Sequence, residues 1–172
     1  MAKLPAALNA ALEFEEEGKK YYTQKAAAAK DPLTQKLFQT LAEDESRHAE
    51  RILEIHAAIS NSGPWPATVL SPHRNLEQEM RDFFSSGQTA LESKAEPLEG
   101  YAFAMEMEKK GIAMYAKQVQ EAQDEMEKAF FHALVEEERG HLEAIQNVYY
   151  YLSNSEDWYA EEESKRWNWM NL

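Results

Sequence analysis

A glutamate–histidine pattern occurs twice in this chain, each time with the same kinds of apolar residue around it. The stretch LAEDESRHAERI covers residues 41–52 and LVEEERGHLEAI covers residues 134–145, so Glu45 and His48 recur as Glu138 and His141 at an offset of 93. The same offset relates further identical pairs: Glu15 and Glu108, Gly18 and Gly111, Tyr22 and Tyr115, Phe38 and Phe131, Leu41 and Leu134, and Ile52 and Ile145. An ungapped repeat of this extent indicates duplication of one structural unit, with a pseudo-twofold axis between the copies.

The repeated unit is predicted to be a pair of helices. Apolar residues recur at spacings of three and four, no segment shows the alternation of a strand, and no proline interrupts the long periodic segments. Pro5, Pro32 and Pro97 each stand where a helix can begin, and Asp31 is suited to cap the helix that starts at Pro32. We predict four long helices, over residues 5–29, 32–60, 97–122 and 124–152.

The lengths of the connections define the expected architecture. Short turns join the first helix to the second and the third to the fourth, which makes each pair an antiparallel hairpin. The connector, residues 61–96, is long enough to cross the bundle and contains a predicted short helix around Asn75–Phe84. We therefore expect an all-α fold, a four-helix bundle over residues 5–152 in which one long crossover joins two duplicated hairpins.

The tail and the chain length complete this prediction. Residues 153–172 are predicted to add a short C-terminal helix that carries Trp158, Trp167 and Trp169. A chain of 172 residues can bury one sizeable core, so we expect residues 1–172 to form a single domain.

Composition narrows the functions that such a bundle can have. The formal net charge of −13 disfavours binding to a nucleic-acid backbone, and the absence of cysteine excludes disulfides, thiolate catalysis and cysteine-bound metal sites on this chain. No apolar run approaches the roughly 20 residues that span a bilayer, and the N-terminal stretch lacks the apolar region of a signal peptide. We expect a soluble cytoplasmic protein without nucleic-acid or membrane partners.

In helical register, the repeated glutamates and histidines fall on the apolar face of each helix. The four faces are Leu8, Ala11, Glu15, Gly18 and Tyr22; Phe38, Leu41, Glu45, His48, Ile52, Ile55 and Ile59; Tyr101, Ala104, Glu108, Gly111 and Tyr115; and Phe131, Leu134, Glu138, His141, Ile145, Val148 and Leu152. Four glutamates and two histidines are thus predicted inside the bundle. An unpaired carboxylate is costly to bury, and these faces carry no lysine or arginine near that layer.

Two divalent cations would balance the charge of the four carboxylates. A glutamate and a histidine at i and i+3 lie on one helix face, so both can reach the same metal ion. The predicted ligands are Glu15, Glu45, His48, Glu108, Glu138 and His141. Oxygen and imidazole donors suit iron or manganese, with zinc as a further option. One such Glu-x-x-His pair alone would more often be a surface ion pair, but the repeat, the interior register and the two additional glutamates favour a dinuclear site.

Other repeated positions have alternative interpretations. Tyr22 and Tyr115 follow their glutamates by two turns, so their hydroxyls can reach back toward the metal layer, or they are core aromatics that pair with any nearby group. Gly18 and Gly111 would leave space for peroxide or dioxygen, or would allow close helix packing. Most of the acids that flank the ligands should face solvent, and one or two would pair with the histidines: Glu16, Glu17, Glu43, Asp44, Glu136 and Glu137.

As a set, the phrases EFEEEGKKYY, LAEDESRH, EMEKKGIAMY and LVEEERGH resemble the ferritin-like superfamily, and most specifically the rubrerythrin-type diiron domain. The resemblance covers residues 5–152 and implies a homodimeric diiron bundle that reacts with hydrogen peroxide or dioxygen. It implies the six ligands named above, with Glu45 and Glu138 bridging two irons. Rubrerythrins typically carry one more glutamate where this chain has Gly111, and many carry a rubredoxin domain, for which this sequence has no cysteine.

The resemblance implies a diiron oxidoreductase that reduces hydrogen peroxide with electrons from an external donor protein. Tyr22 and Tyr115 would assist by forming hydrogen bonds with the ligands. Two alternatives stay open: an O2-dependent ferroxidase or iron-handling protein, and a non-catalytic bundle that a metal stabilises. The identity of the ligands does not choose among the three, because all of them would use the same six side chains.

Overall fold

The computed structural model describes residues 5–60, 63–66, 74–86 and 98–153, apart from the side chain of Phe84. These residues form five helices and no strand: α1 (Ala6–Ala28), α2 (Pro32–Ser60), α3 (Leu76–Ser85), α4 (Glu99–Glu121) and α5 (Glu125–Ser153). The all-α prediction is confirmed, and every long helix begins and ends within two residues of its predicted bounds. Pro97 and the predicted C-terminal helix with its tryptophans lie outside the described residues. Among the described helices, none combines the length and hydrophobicity that crossing a bilayer requires.

Side-chain caps define where the helices of the bundle begin. A carboxylate oxygen of Asp31 accepts a hydrogen bond from the backbone amide of Thr34 at 2.7 Å, as predicted for the cap of α2. Asp124 accepts one from the amide of Met126 at the start of α5, also at 2.7 Å. These caps satisfy amides that have no partner within the helix, and so they fix the register in which each helix enters the bundle.

The helices pack as two hairpins. The most extensive packing lies between α1 and α2 and between α4 and α5, and the contacts between the two hairpins are fewer. The connections within each hairpin are short, so the paired helices run antiparallel. Helix α3, which belongs to the crossover, packs against α2 and α5. The arrangement agrees with the predicted bundle of two hairpins.

Two apolar clusters occupy the interior and leave a layer between them. One cluster contains Tyr22 and Leu41, and the other contains Leu8 and Ile52. Helices α1 and α2 each run from one cluster to the other. The residues halfway along them, including Glu15, are therefore held in a buried layer with apolar packing on both sides. Burial of those clusters supplies the hydrophobic stabilisation that offsets the cost of keeping polar groups inside.

Candidate metal centre

All six predicted ligands lie in this interior layer, and each is at most 3% exposed to solvent. The list comprises Glu15 from α1, Glu45 and His48 from α2, Glu108 from α4, and Glu138 and His141 from α5. The structure thus brings together all six side chains that the sequence selected. Burial of four carboxylates in one layer is unfavourable unless cations or protons compensate their charge.

The six side chains form two groups that share two members. Glu15, Glu45, His48 and Glu138 make one group, and Glu45, Glu108, Glu138 and His141 make the other. In each group the candidate ligand atoms all lie within 4.8 Å of one another. Glu45 and Glu138 belong to both groups, so the carboxylate of each could serve a metal ion held by either group. Each group takes residues from both hairpins, so the centre joins the two halves of the bundle.

Both imidazoles present the same nitrogen to the carboxylates. Nδ1 of His48 lies 3.1 Å from Oε2 of Glu15 and 3.3 Å from Oε2 of Glu45. Nδ1 of His141 lies 3.5 Å from Oε2 of Glu138 and 3.7 Å from Oε2 of Glu108. The two rings stack at a centroid separation of 5.8 Å. The arrangement leaves each Nε2 directed away from the carboxylate layer.

Each outward nitrogen meets an acid from the opposite hairpin. Nε2 of His48 makes a 2.6 Å hydrogen bond with Glu137, and Nε2 of His141 lies 3.4 Å from Asp44. Such partners fix the orientation and tautomer of a metal-binding imidazole. The sequence predicted one or two partners of this kind among six flanking acids without selecting them. The repeat could not select them, because Glu43 and Glu136 are acidic at equivalent positions too.

The two tyrosines also connect the hairpins. The hydroxyl of Tyr22 in α1 donates a short hydrogen bond to Oε1 of Glu108 in α4, and the hydroxyl of Tyr115 in α4 donates one to Oε1 of Glu15 in α1. Burial, followed by the charge of the accepting glutamate, raises the pKa of each phenol well above its usual range. Both phenols therefore stay protonated at neutral pH and act as donors.

The acids of the layer divide into two classes by pKa. Burial, followed by the charge of Glu15, raises the pKa of Glu45 well above its usual range, and burial with the charge of Glu108 does the same at Glu138. At Glu15, burial raises the pKa, but the charge of His48 and several hydrogen bonds outweigh it and bring the value to about 2. A cation placed beside the two shared carboxylates would favour their ionised form and lower these raised pKa values.

Unsatisfied atoms in the layer show that its donor set fits metal ions. Four carboxylate oxygens accept no hydrogen bond, namely Oε2 of Glu45, Oε2 of Glu108 and both oxygens of Glu138, and Nδ1 of His141 forms no hydrogen bond either. Among the described residues, no lysine or arginine forms an ion pair with any of the four glutamates. Buried groups of this kind are normally paired or bound to metal, so these residues can hold a dinuclear centre.

A polar cavity of about 410 Å³ lies beside the outer face of His141. Asp44, Glu137 and Gly140 line it, together with Arg74 from the segment that precedes α3. Arg74 donates a 3.2 Å hydrogen bond to Asp44, so the crossover contacts the same carboxylate that pairs with His141. A Cβ atom at Gly140 would meet no other atom within 4 Å, which leaves this side of α5 open.

Comparison with known proteins agrees with this geometry. A model of the rubrerythrin family matches residues 6–149. The chain belongs to the rubrerythrin family. No curated protein and no solved structure matches the chain. Membership of this family supports a diiron protein of the rubrerythrin type, and the two overlapping groups of buried carboxylates and histidines could hold metal ions.

Proposed function

We propose that this rubrerythrin-family protein is a non-haem diiron oxidoreductase that reduces hydrogen peroxide. The observation that supports it most strongly is the pair of four-residue groups, buried and sharing Glu45 and Glu138. Iron is the proposed metal because the donors are carboxylate oxygens and imidazole nitrogens, which suit a redox-active first-row ion, and because the family binds iron. Manganese or zinc in the same groups is the alternative that metal analysis would detect.

Two ferrous ions held there would supply two electrons, which with two protons convert hydrogen peroxide into two molecules of water. The ligands hold the metals in a layer with apolar packing on both sides, which limits the access of bulk water. Glu137 and Asp44 orient the imidazoles of His48 and His141 from outside. Both acids also line the polar cavity, where protons can exchange with solvent.

In this proposal Tyr22 and Tyr115 are positioning residues. Each phenol donates to a glutamate of the other hairpin, which holds that carboxylate in one orientation. The electrons would come from an external donor protein, because the chain has no cysteine with which to bind an iron–sulfur or rubredoxin-type centre. A homodimer in the cytoplasm is part of the same proposal, and light scattering on the purified protein would test its oligomeric state.

The decisive experiment uses protein loaded anaerobically with Fe(II) and mixed in a stopped-flow instrument with hydrogen peroxide or with dioxygen. We expect absorbance changes that report faster oxidation by peroxide. Faster oxidation by dioxygen would instead favour a ferroxidase or iron-handling protein. Absence of site-dependent oxidation by either reagent would overturn the enzyme proposal and leave a metal-stabilised bundle.

A matched pair of variants shows whether any oxidation occurs at the centre. Glu15→Gln alters a fully buried member of one group, whereas Glu16→Gln alters its exposed neighbour in the same helix. We expect the first variant to lose most of the rapid oxidation and the second to retain it. Equal rates in both variants would place the reaction elsewhere on the protein.

A further inference from the structure

A second cavity lies on the opposite side of the bundle, between α1 and α4. It has a volume of about 500 Å³, within the range of pockets that hold small organic molecules. Its lining is mainly apolar and includes Phe14, Tyr21, Phe103, Met107 and Met114. The apolar lining of this groove distinguishes it from the polar cavity beside His141. None of the six candidate ligands lines the groove.

The ring of Phe14 lies between this groove and the carboxylate layer. A Cβ atom placed on Gly111 would lie 2.8 Å from Cε1 of Phe14 and 3.5 Å from Cδ of Glu138. The same ring packs edge-on against Tyr115, whose hydroxyl binds Glu15. Phe14 therefore fills the space that the missing side chain of Gly111 creates. The ring lines the groove on one side and contacts Tyr115, which binds Glu15, on the other.

The equivalent position in the other hairpin carries no aromatic ring. Met107 occupies the position equivalent to Phe14, and Gly18 the position equivalent to Gly111. The three atoms nearest to a Cβ placed on Gly18 all belong to Glu45, at 3.3–3.5 Å. A carboxylate carbon lies 3.4–3.5 Å from the Cβ position of both glycines, and at Gly111 the ring of Phe14 lies closer still, at 2.8 Å.

We propose that Phe14 is a specificity-determining residue that closes the apolar groove and restricts the centre to small oxidants such as hydrogen peroxide. The inference rests on the proposed peroxide chemistry. Without the ring of Phe14, an organic hydroperoxide could reach the centre through the groove, because its apolar body matches the apolar lining. Reduction would break its O–O bond with two electrons from the ferrous pair and two protons, and would yield one alcohol and one water.

The first test compares the oxidation of Fe(II)-loaded protein by cumene hydroperoxide and by hydrogen peroxide. Phe14→Ala should raise the ratio of the two rates by about 10-fold or more, since removal of a blocking group from a pocket has effects of that order. Phe103→Ala is the matched control, because Phe103 lines the same groove but is 54% exposed. Its ratio should stay at the parent value. An unchanged ratio in Phe14→Ala, or an equal rise in both variants, would overturn the proposal.

The second test needs neither metal nor activity. In the parent, Gly111→Ala should lower the Tm of the metal-free protein because the new Cβ collides with the ring of Phe14. In the Phe14→Ala background the same change should raise Tm, because alanine favours the helix. Loss of stability by equal amounts in both backgrounds would show that Phe14 does not fill this space, and would sink the proposal. If Phe14→Ala does not fold, Phe14→Leu replaces it in both tests.

The two tests separate failure of this proposal from failure of the proposed function. If hydrogen peroxide does not oxidise the Fe(II)-loaded parent protein, the proposed peroxide chemistry is wrong. The proposal about oxidant size is then wrong too, even if the Tm changes of Gly111→Ala confirm the contact with Phe14. If hydrogen peroxide oxidises the parent protein but Phe14→Ala does not raise the relative rate with cumene hydroperoxide, only the proposed role of Phe14 is wrong.

Discussion

The α1–α2 hairpin and the α4–α5 hairpin carry matched residues inside the bundle but different residues around the buried layer. Glutamate, histidine and tyrosine recur at equivalent positions, and each hairpin uses them to contact the other. Two positions beside that layer differ between the hairpins: Phe14 corresponds to Met107, and Arg47 corresponds to Gly140. The candidate metal-binding groups therefore keep the symmetry of the duplication, whereas the residues beside them differ between the two sides.

The difference at Arg47 and Gly140 coincides with the polar cavity on one side of the centre. Arg47 in α2 donates a 2.7 Å hydrogen bond to Asp44 and lies 3.9 Å from Glu137. Its guanidinium charge therefore offsets the charge of both acids that pair with the histidines. Gly140 offers no side chain at the equivalent position of α5, and the polar cavity lies there. A duplicated site can thus become polar and open on one side, and apolar and closed on another, without a change in its ligands.

Neutralising one shared carboxylate should have the largest effect on metal binding. Glu45→Gln or Glu138→Gln removes a ligand from both groups, so we expect binding of both cations to weaken by more than about 100-fold. Glu15→Gln and Glu108→Gln each alter one group and should leave one cation bound. Anaerobic titration with Fe(II), followed by metal analysis, distinguishes these cases. Retention of two cations by Glu138→Gln would show that this carboxylate is not shared.

The same change should stabilise the metal-free protein. Below the ordinary pKa of 4.5, Glu138 is protonated in both folded and unfolded chains, and as pH rises above it the unfolded chain ionises while the raised pKa keeps the folded carboxyl protonated. Folding therefore loses stability with rising pH, and the uncharged Glu138→Gln removes this loss. Each kcal/mol recovered at neutral pH would raise Tm by about 2–4 °C. A lower Tm in the variant would show that the carboxylate is stable without a cation.

Changing the acids that pair with the histidines, Asp44 and Glu137, should have an intermediate effect on metal affinity. Asp44→Asn and Glu137→Gln each remove the charged partner of one imidazole, and we expect metal affinity to fall by about 10- to 100-fold. Asp44→Asn should have the larger effect because Asp44 also binds Arg47 and Arg74. Calorimetric titration of both variants measures the difference. Equal losses would mean that the additional arginine contacts do not influence the centre.

The burial of the six candidate ligands could be predicted from the sequence, and the acids that pair with the two histidines could not, for a physical reason. Glu45 and His48 lie on an apolar helix face, so periodicity alone places them inside the bundle. Asp44 and Glu43 are adjacent acids whose burial depends on how the other hairpin packs, and only the structure shows that Asp44 is buried beside His141. The contact of Phe14 with the space at Gly111 is likewise non-local. The sequence left that space open to two interpretations, and the structure shows close packing there.

Removing one phenol hydroxyl should have a smaller effect, of the same size in both halves. Tyr22→Phe and Tyr115→Phe each abolish a buried hydrogen bond to a glutamate of the other hairpin. Hydrogen bonds to charged groups contribute about 1.5 kcal/mol or somewhat more, and we expect each variant to lose that much stability. Denaturant unfolding of both variants provides the values. A clear inequality would mean that the two halves of the layer differ in energy despite their matched residues.

The smallest expected effect concerns the position where the repeat differs. Gly140 lies in the interior of α5, and a Cβ atom there would meet no neighbour, so Gly140→Ala should stabilise the protein by about 0.5–1 kcal/mol. Arg47→Ala at the equivalent position should act in the opposite direction, because Asp44 loses one of its two guanidinium partners and Glu137 loses the guanidinium that lies 3.9 Å away. Thermal denaturation measures both changes. A higher Tm for Gly140→Ala together with a lower Tm for Arg47→Ala would mean that glycine at position 140 lowers stability, as expected if the polar cavity gives access to the centre. Tm changes of the same sign in both variants would contradict this explanation of the asymmetry.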